Sequence, residues 1–259
     1  MAAPHDKDSD MALTILAEQQ DGLLILTLNR PDKRNALNTE MYQALADTLR
    51  QAAQDENIHV LLLQGQPDCF TAGNDLADFM GKETLEADDP ILQFLHTLAD
   101  FPKPVVAAVG GAAVGIGTTL LLHCDLVYLG ENARLQLPFV ELGLVPEFAS
   151  SLLLPRAVGH LKASELLLLA DPMDAHEALR LGLANRVLAV DALLPFAREQ
   201  ALRLAAKPPK ALQKSKALLK QELRQAVHFV IDVEARAFSL ALQGEEAQGR
   251  IAARLGRKG

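Results

Sequence analysis

Residues Val105 to Thr119 read VVAAVGGAAVGIGTT, five apolar residues followed by a glycine-rich loop and a run of small residues. The apolar run Val105–Val109 shows no polar alternation, which is typical of a short strand buried on both faces, as in a parallel sheet. The loop Gly110–Thr119 then opens a helix, and the free N–H groups and dipole of a helix start favour negative charge. The segment therefore predicts an α/β fold with an anion-accepting loop at the end of a buried strand.

Similar apolar runs occur elsewhere in the first two thirds of the chain. Val60–Leu63 and Asp125–Leu129 are each preceded by helical or loop sequence. Leu13–Ala17 and Leu23–Leu28 flank Asp21-Gly22, a dipeptide that favours a tight hairpin turn. The alternation of short apolar runs with helical segments indicates a mostly parallel, buried sheet with crossover helices.

From Ser150 onward the pattern is nearly all helical. Helix-length apolar periodicity covers Ala157–Ala170, Asp174–Leu181, Asp191–Ala206, Pro208–Lys220 and Ala226–Leu242. We therefore expect a disordered polar tail over residues 1–10, an α/β core with the binding site over 11–195, and a helical region over 196–259. The polar segment Gly81–Asp89 is expected to be a mobile loop.

Composition excludes several classes of protein. A net charge of −8 disfavours general nucleic-acid binding. Residues 198–259 nevertheless carry 13 Lys and Arg against 6 Asp and Glu, which fits either a phosphorylated small ligand or solvated helix faces. The apolar runs are too short to cross a bilayer, the first ten residues resemble no targeting signal, and Cys69 and Cys124 fit no metal or redox spacing. The sequence predicts a cytoplasmic protein with no nucleic-acid or membrane partner.

Two loops have the features of a binding site. Phe70–Leu76 (FTAGNDL) contains an Ala-Gly pair that lets a ligand approach the backbone, where exposed amides can donate to an anion. Gly110–Thr119 lacks the Lys of a P-loop, and Leu120 stands where a dinucleotide fingerprint requires Gly or Ala. Neither a Gly-x-Ser-x-Gly elbow nor a His-Glu-x-x-His motif occurs, so no metal site is expected.

The segment Phe139–Ser151 (FVELGLVPEFASS) places one carboxylate, Glu147, among apolar and small residues. Burial would raise its pKa toward the range in which a carboxylate can take and return a proton near neutral pH. The alternative is that Glu147, which follows Pro146, only opens a helix, since acidic side chains suit a helix N-terminus. The two loops upstream favour the first interpretation.

Four motifs together resemble the crotonase superfamily of enoyl-CoA hydratases and isomerases. They are Leu28–Leu37 (LNRPDKRNAL), Ala72–Leu76 (AGNDL), the Gly110–Thr119 loop and Cys124-Asp125. The first loop is most similar to the peroxisomal-type Δ3,Δ2-enoyl-CoA isomerases. The resemblance implies a spiral of ββα units with a helical C-terminal region that drives assembly into a homotrimer or a dimer of trimers. It also implies an acyl-CoA substrate from fatty acid and lipid metabolism, with coenzyme A as part of the substrate and no separate cofactor.

The resemblance also assigns the residues of the site. An oxyanion hole made of two backbone N–H groups falls on Asn74 and Ile116, although the family usually has Gly at the second position. Arg34 and the basic C-terminal helices are candidates to meet the CoA phosphates. Contacts with the acyl thioester fall on Ala72, Gly73, Asn74, Asp75, Leu76, Gly115, Ile116 and Phe139.

The catalytic acids of the family separate its reactions. Hydratases use two glutamates, and the matching positions here hold Thr119 and Phe139, which cannot act as carboxylate bases. Glu147 falls where the peroxisomal-type isomerases carry a single glutamate. The resemblance therefore predicts that Glu147 shuttles a proton from C2 to C4 of a 3-enoyl-CoA while the amides of Asn74 and Ile116 stabilise the dienolate oxygen.

Other interpretations stay open at this point. The chain could be an enoyl-CoA hydratase or catalyse another enolate-forming reaction, or it could be a non-catalytic module that binds CoA or another protein. Glu141 is the competing candidate for the base. Asp75 is expected to cap a helix or brace its loop, His123 to be a hydrogen-bonded core residue, and Asp125 to be structural.

Overall fold

The computed structural model describes residues 14–79, 86 and 88–256. The expected tail over residues 1–10 and most of the expected mobile loop Gly81–Asp89 lie outside the described residues. The strands, in chain order, are β1 (Ile15–Gln20), β2 (Leu23–Leu28), β3 (Val60–Gln64), β4 (Cys69–Thr71), β5 (Val105–Val109), β6 (Ala112–Val114), β7 (Leu126–Gly130), β8 (Arg134–Gln136), β9 (Met173–Asp174) and β10 (Arg186–Leu188).

The strands form two sheets that are built in alternation. One sheet has the order β1-β2-β3-β5-β7-β10 and the other has the order β4-β6-β8-β9. Consecutive strands from β3 to β8 therefore enter the two sheets in turn, which is a spiral of repeated strand pairs. Pairing is parallel except between β1 and β2 and between β8 and β9. The mostly parallel, buried sheet predicted from the sequence is confirmed, and the second sheet is an addition to that prediction.

Helices surround the sheets and form most of the chain after residue 150. They are α1 (Thr39–Gln54), α2 (Leu76–Phe79), α3 (Pro90–Ala99), α4 (Ile116–Thr119), α5 (Ser150–Val158), α6 (His160–Ser164), α7 (Ala175–Arg180), α8 (Val190–Ala205), α9 (Pro209–Lys220), α10 (Arg224–Gln243) and α11 (Glu245–Gly256). The helical C-terminal region expected from the sequence is confirmed.

Both faces of the six-stranded sheet are covered. Leu24 and Leu26 of β2 point into the larger core, whereas Leu23 and Ile25 point into a second cluster on the opposite face. Small residues of α8, such as Ala197, pack against this second face. The period-2 alternation of side chains along a strand explains why a continuous apolar run suits this position. α8 runs through the division proposed at residue 195, which stays a prediction.

One predicted helix needs correction. The helix expected over Ala157–Ala170 is broken at Gly159, where φ is 82°, and continues as α6 and a π-helical turn over Glu165–Leu169. α1 is capped by Asn38, whose side chain accepts the Met41 N–H at 3.0 Å. α11 lies within the helical region predicted over residues 196–259, and no separate bounds were predicted for it. The hairpin at Asp21-Gly22 is confirmed, with φ of 48° and 80°.

Within the described residues, no helix is both long enough and apolar enough to span a bilayer. No group of three or more His, Cys, Asp or Glu side chains in the same part of the chain is arranged to hold a metal ion.

Candidate active site

Two neighbouring parallel strands bring the two predicted loops together. β4 pairs with β6, and the loops at Gly73 and Gly115 follow the ends of these strands. A side chain at Gly73, where φ is 94°, would place its Cβ 2.9 Å from Val114 O. A Cβ at Gly117 would lie 2.5 Å from Thr71 Cγ2. The backbones of the two loops are in such close contact that only glycine fits at these points.

The first loop leaves the backbone N–H of Asn74 free. Three of its amides are already used: Ala72 N–H donates to Arg34 O at 2.9 Å, Gly73 N–H to Thr71 Oγ1 at 3.1 Å, and Asp75 N–H to Leu37 O at 2.8 Å. The Asn74 N–H makes no hydrogen bond to the described residues. Because buried or half-buried amides are nearly always paired in folded proteins, this donor is available to a ligand.

The second loop has the same property at Ile116. Gly115 adopts φ 56° and ψ −116°, a conformation suited to glycine, and turns the chain into α4. Its own N–H donates to Gln136 O at 2.9 Å, and its carbonyl accepts from Thr118 and Thr119. The Ile116 N–H has no partner among the described residues, since it belongs to the first turn of a helix. Two unpaired amides thus follow the ends of adjacent strands, as an oxyanion hole requires.

The carboxylate of Glu147 lies at this site and is 6% exposed. Burial raises its pKa from 4.5 to about 8, the negative charge of Glu234 adds to this shift, and a hydrogen bond from the Asn74 side chain opposes it. Oε1 is buried and has no hydrogen-bond partner within the described part of the chain. One carboxylate oxygen is therefore held in place while the other is free to exchange a proton.

Asn74 joins the base to the rest of the site through a hydrogen-bond chain. Its Oδ1 accepts from the Tyr42 hydroxyl on α1, so its amide group faces Glu147 as a donor. Tyr42 is fully buried, and its pKa is raised well above the ordinary value of 10.0 by burial first and then by the charge of Glu147. Tyr42 therefore stays a neutral donor that fixes the orientation of the Asn74 amide.

Glu147 precedes a tight turn with an unusual backbone. Phe148 and Ala149 have φ of 58° and 54°, in the left-handed region that residues with a Cβ rarely adopt. His123 donates its Nε2–H to Phe148 O at 2.8 Å, and its ring stacks on the Phe148 ring at 3.8 Å. Burial lowers the pKa of His123 to about 3, so the imidazole is neutral. The expectation that His123 is a hydrogen-bonded core residue is confirmed.

The sequence model of the family described as Enoyl-CoA hydratase/isomerase matches residues 18–254. The chain belongs to the enoyl-CoA hydratase/isomerase family. The 2,3-dehydroadipyl-CoA hydratase of Escherichia coli (strain K12) is 36% identical over 240 residues, which are 92% of this chain and 94% of that protein. Enoyl-CoA delta isomerase 2 of Homo sapiens is 34% identical over 263 residues, covering 98% of this chain and 66% of the human protein's length.

Solved structures of the enoyl-CoA hydratase/isomerase family share the fold described above. The structure of Pseudomonas aeruginosa OdaA superimposes with a TM-score of 0.92 at 46% identity, covering 94% of this chain and 99% of that one. The crotonase fold and the acyl-CoA class of enzyme predicted from the sequence are confirmed. Because relatives named hydratase and relatives named isomerase are about equally similar to this chain, membership alone does not separate the two reactions.

This chain has no carboxylate at either of the two positions where the family's hydratases carry their catalytic glutamates. Thr119 is fully buried, and its hydroxyl faces the Ile116 carbonyl at 3.4 Å. Phe139 is buried, and its ring lies beside Gly115, with Cε1 3.9 Å from the point a Cβ would occupy. Phe139 thus lies against the second loop, and its predicted contact with an acyl thioester stays a prediction.

Three other predicted site residues belong to the first loop or lie against it. Asp75 pairs with Arg30 at 2.6 Å and accepts the Ala77 N–H at 3.2 Å, so it both braces the loop and caps α2. Arg34 is exposed, and its carbonyl receives Ala72 N–H. Leu76, half-buried, opens α2 directly after the loop. The contacts predicted for these residues and for Ala72 with an acyl-CoA stay predictions.

The competing base and the other charged candidates lie elsewhere. Glu141 is exposed on the protein surface, and its carbonyl accepts from Arg250 at 3.2 Å. Asp125 accepts Val105 N–H at 2.8 Å and pairs with buried Lys216 at 2.7 Å, which is the structural role expected of it. Lys216, one of the basic residues between 198 and 259, is therefore engaged in an ion pair within the protein.

A cavity of ≈ 230 Å³ lies between β7, β8 and α5. Leu121, Leu154, Met173 and Leu183 are among its lining residues, whereas Asn74, Ile116 and Glu147 are not. This cavity is therefore separate from the carboxylate and the two free amides.

Proposed function

We propose that this chain is a Δ3,Δ2-enoyl-CoA isomerase that moves a double bond with one buried carboxylate. The observation that carries the proposal is the geometry of Glu147. Its carboxylate is buried, one oxygen lacks a partner within the described residues, and its neighbour Asn74 also supplies a free backbone N–H. Base and oxyanion donor are thus joined through a single residue.

The reaction follows from these groups. Glu147 takes a proton from C2 of a 3-enoyl-CoA, and the electron pair of the broken C–H bond moves toward the thioester carbonyl. The resulting dienolate oxygen accepts hydrogen bonds from the N–H groups of Asn74 and Ile116. Glu147 then returns the proton to C4, and the double bond lies between C2 and C3. No water or second acid takes part, since one base on one face of the substrate serves both steps.

The electrostatics suit a carboxylate that must both accept and release a proton. A pKa of about 8 makes Glu147 a stronger base than an exposed glutamate and leaves a usable ionised fraction near neutral pH. Removing one oxyanion donor in other enzymes costs about 3–4 kcal/mol of transition-state stabilisation. The two backbone N–H donors and the raised pKa of Glu147 therefore both lower the free-energy barrier to proton removal from C2.

A hydratase is the second candidate, and it is favoured by the name of the E. coli relative. Hydration in this family needs two carboxylates around a water molecule, and Thr119 and Phe139 provide none. Glu141 is exposed and would have to turn inward to supply the second acid. A non-catalytic binding module is a third candidate, but it gives no reason for a buried, partly unpaired carboxylate beside two free amides.

We also infer assembly into a homotrimer or a dimer of trimers. Large apolar side chains are exposed on the C-terminal helices, including Leu218 and Leu219 of α9 and Phe229, Val233 and Leu240 of α10. Large apolar side chains exposed on one region of a chain are typical of subunit interfaces. Sedimentation equilibrium of the wild type and of Leu219→Glu tests this inference, and a monomeric wild type would contradict it. We further propose a cytoplasmic location and recognition of the CoA phosphates by Arg34.

Product identity distinguishes the candidate reactions. Wild-type protein is incubated separately with trans-3-hexenoyl-CoA and trans-2-hexenoyl-CoA, and the products are separated by chromatography. The isomerase proposal expects rapid conversion of the 3-enoyl thioester and little addition of water to the 2-enoyl thioester. Rapid formation of 3-hydroxyhexanoyl-CoA from the 2-enoyl substrate would support the hydratase instead. Tight CoA binding without turnover of either would support the binding module.

A further inference from the structure

Helix α10 directs one buried carboxylate at the turn that follows Glu147. Glu234 is 6% exposed, and its Oε2 accepts the Ala149 N–H at 2.6 Å while its Oε1 accepts the Ser151 N–H at 2.9 Å. The Ser151 side chain adds a further hydrogen bond. Both carboxylate oxygens therefore accept hydrogen bonds, which favour the ionised form and oppose the burial that raises the pKa of Glu234.

The turn held by Glu234 needs such support. The left-handed residues Phe148 and Ala149 lie directly after Glu147, and side chains with a Cβ disfavour that conformation. Glu234 fixes the turn from one side through Ala149, and His123 fixes it from the other through Phe148 O. Because Glu147 is the residue before this turn, the turn fixes the backbone from which its side chain extends.

Glu234 also supplies the charge that acts on Glu147. Among the described residues, Tyr42 on α1 and Glu234 on α10 interact electrostatically with Glu147, and His123, on the turn after α4, contacts the neighbouring Phe148. Burial keeps Tyr42 and His123 neutral, since it raises the pKa of the first well above 10.0 and lowers that of the second to about 3. The negative charge of Glu234 therefore disfavours ionisation of Glu147 and strengthens it as a base.

We propose that Glu234 is a positioning residue for Glu147, which holds the turn that aims the carboxylate and places a negative charge near it. The inference rests on the proposed role of Glu147 as the base. It adds a residue from the C-terminal helices to the site, with no contact to substrate required. Glu234 acts only through Glu147 and the turn.

The test combines turnover with a direct titration of Glu147. Infrared difference spectra follow the protonated carboxyl band of Glu147, which is identified by its loss in Glu147→Gln. The variants are Glu234→Gln, which removes the charge at constant size, and Glu234→Asp, which keeps the charge but shortens the reach. Asp232→Asn is the matched control, because Asp232 lies on the same helix, is half exposed and pairs with His96 at 2.9 Å.

In Glu234→Gln we expect the infrared titration and the acid limb of kcat/KM to move together to lower pH. The kcat at the plateau should fall about 10- to 100-fold because the base is misplaced, with little change in KM. Glu234→Asp should lose kcat while its titration stays near that of the wild type. Asp232→Asn should change neither quantity.

The inference is overturned if Glu234→Gln folds and leaves both the titration and the plateau kcat unchanged. Should Glu234→Gln fail to fold, Glu234→Asp decides, since an unchanged kcat there would contradict positioning. If the wild type does not turn over 3-enoyl-CoA, the proposed isomerase fails. The infrared shift alone then shows whether Glu234 controls Glu147.

Discussion

Replacing Glu147 by Gln should stabilise the folded protein, and the gain should grow as the pH rises. The carboxyl has a pKa of about 8 in the folded chain against 4.5 for an ordinary glutamate. Each pKa unit corresponds to about 1.4 kcal/mol. The penalty for keeping Glu147 buried is therefore about 3 kcal/mol at pH 7 and about 5 kcal/mol above pH 8. Gln resembles the protonated carboxyl and does not carry this penalty.

The direction of this pH dependence follows from the protonation state of Glu147 in the folded and unfolded chains. Below pH 4.5 the carboxyl is protonated in both states, so it adds no penalty. Between pH 4.5 and about 8 the unfolded chain has released this proton while the folded chain keeps it, so stability falls as the pH rises. Above about pH 8 both states are ionised and the difference between Glu147→Gln and wild type becomes constant.

Equilibrium unfolding in urea measures this difference at pH 5, 7 and 9. All samples need the same protein concentration, since assembly of subunits adds to apparent stability. Glu141→Gln serves as the control, because Glu141 is exposed and its replacement should change stability equally at every pH. A stability difference between Glu147→Gln and wild type that does not vary with pH would refute the reasoning, since Glu147 would then titrate like an exposed glutamate.

Three further substitutions test the neighbours of Glu147. Tyr42→Phe removes the hydroxyl that orients Asn74 and should lower kcat/KM about fivefold, equivalent to one hydrogen bond of about 1 kcal/mol, in steady-state assays. Asn74→Ala keeps the backbone donor but removes the side-chain hydrogen bond that lowers the pKa of Glu147, so the acid limb of kcat/KM should move to higher pH; a limb that stays in place would contradict that contact. Ile116→Pro removes the amide N–H at a first helical position together with the buried Ile side chain and should lower kcat about 100- to 1,000-fold, whereas Ile116→Val, which trims the side chain but keeps the amide, should stay near wild type.

Much of the candidate site could be predicted from the sequence, because its strands and loops follow from local sequence patterns. Buried apolar runs such as Val105–Val109 form strands of a parallel sheet, and loops at the ends of adjacent parallel strands meet in space. Asn74 and Ile116 come together for this reason. Glu147 stood out because a carboxylate between Pro146 and Phe148 has no polar neighbour in sequence.

The residues that hold Glu147 were not predicted because they act over long distances in sequence. Tyr42 lies among the buried residues of α1, and Glu234 lies beside buried Ala235 on α10. A charged residue at an apolar helical position is a signal that could have identified Glu234, since an unpaired charge there is costly. Nothing local shows that its partners are the amides of Ala149 and Ser151.

One helix boundary was missed for a different reason. The apolar periodicity continues across Gly159, so the sequence indicates one helix where the structure has two. The glycine adopts φ 82° and ends α5, whose last carbonyls it caps through its N–H to Pro155 O. A glycine after a run of helical residues is a common C-terminal signal, and here it outweighs the apolar pattern.

In the proposed reaction Glu147 is the sole base. The most direct measurement is the kcat of wild type, Glu147→Gln and Glu141→Gln with trans-3-hexenoyl-CoA at pH 8.5 or another fixed pH about half a unit above the Glu147 pKa. Loss of a general base should lower kcat about 100- to 10,000-fold in Glu147→Gln, and Glu141→Gln should keep wild-type turnover. Isomerisation that survives Glu147→Gln but disappears in Glu141→Gln would contradict the claim and assign the proton transfer to the exposed carboxylate.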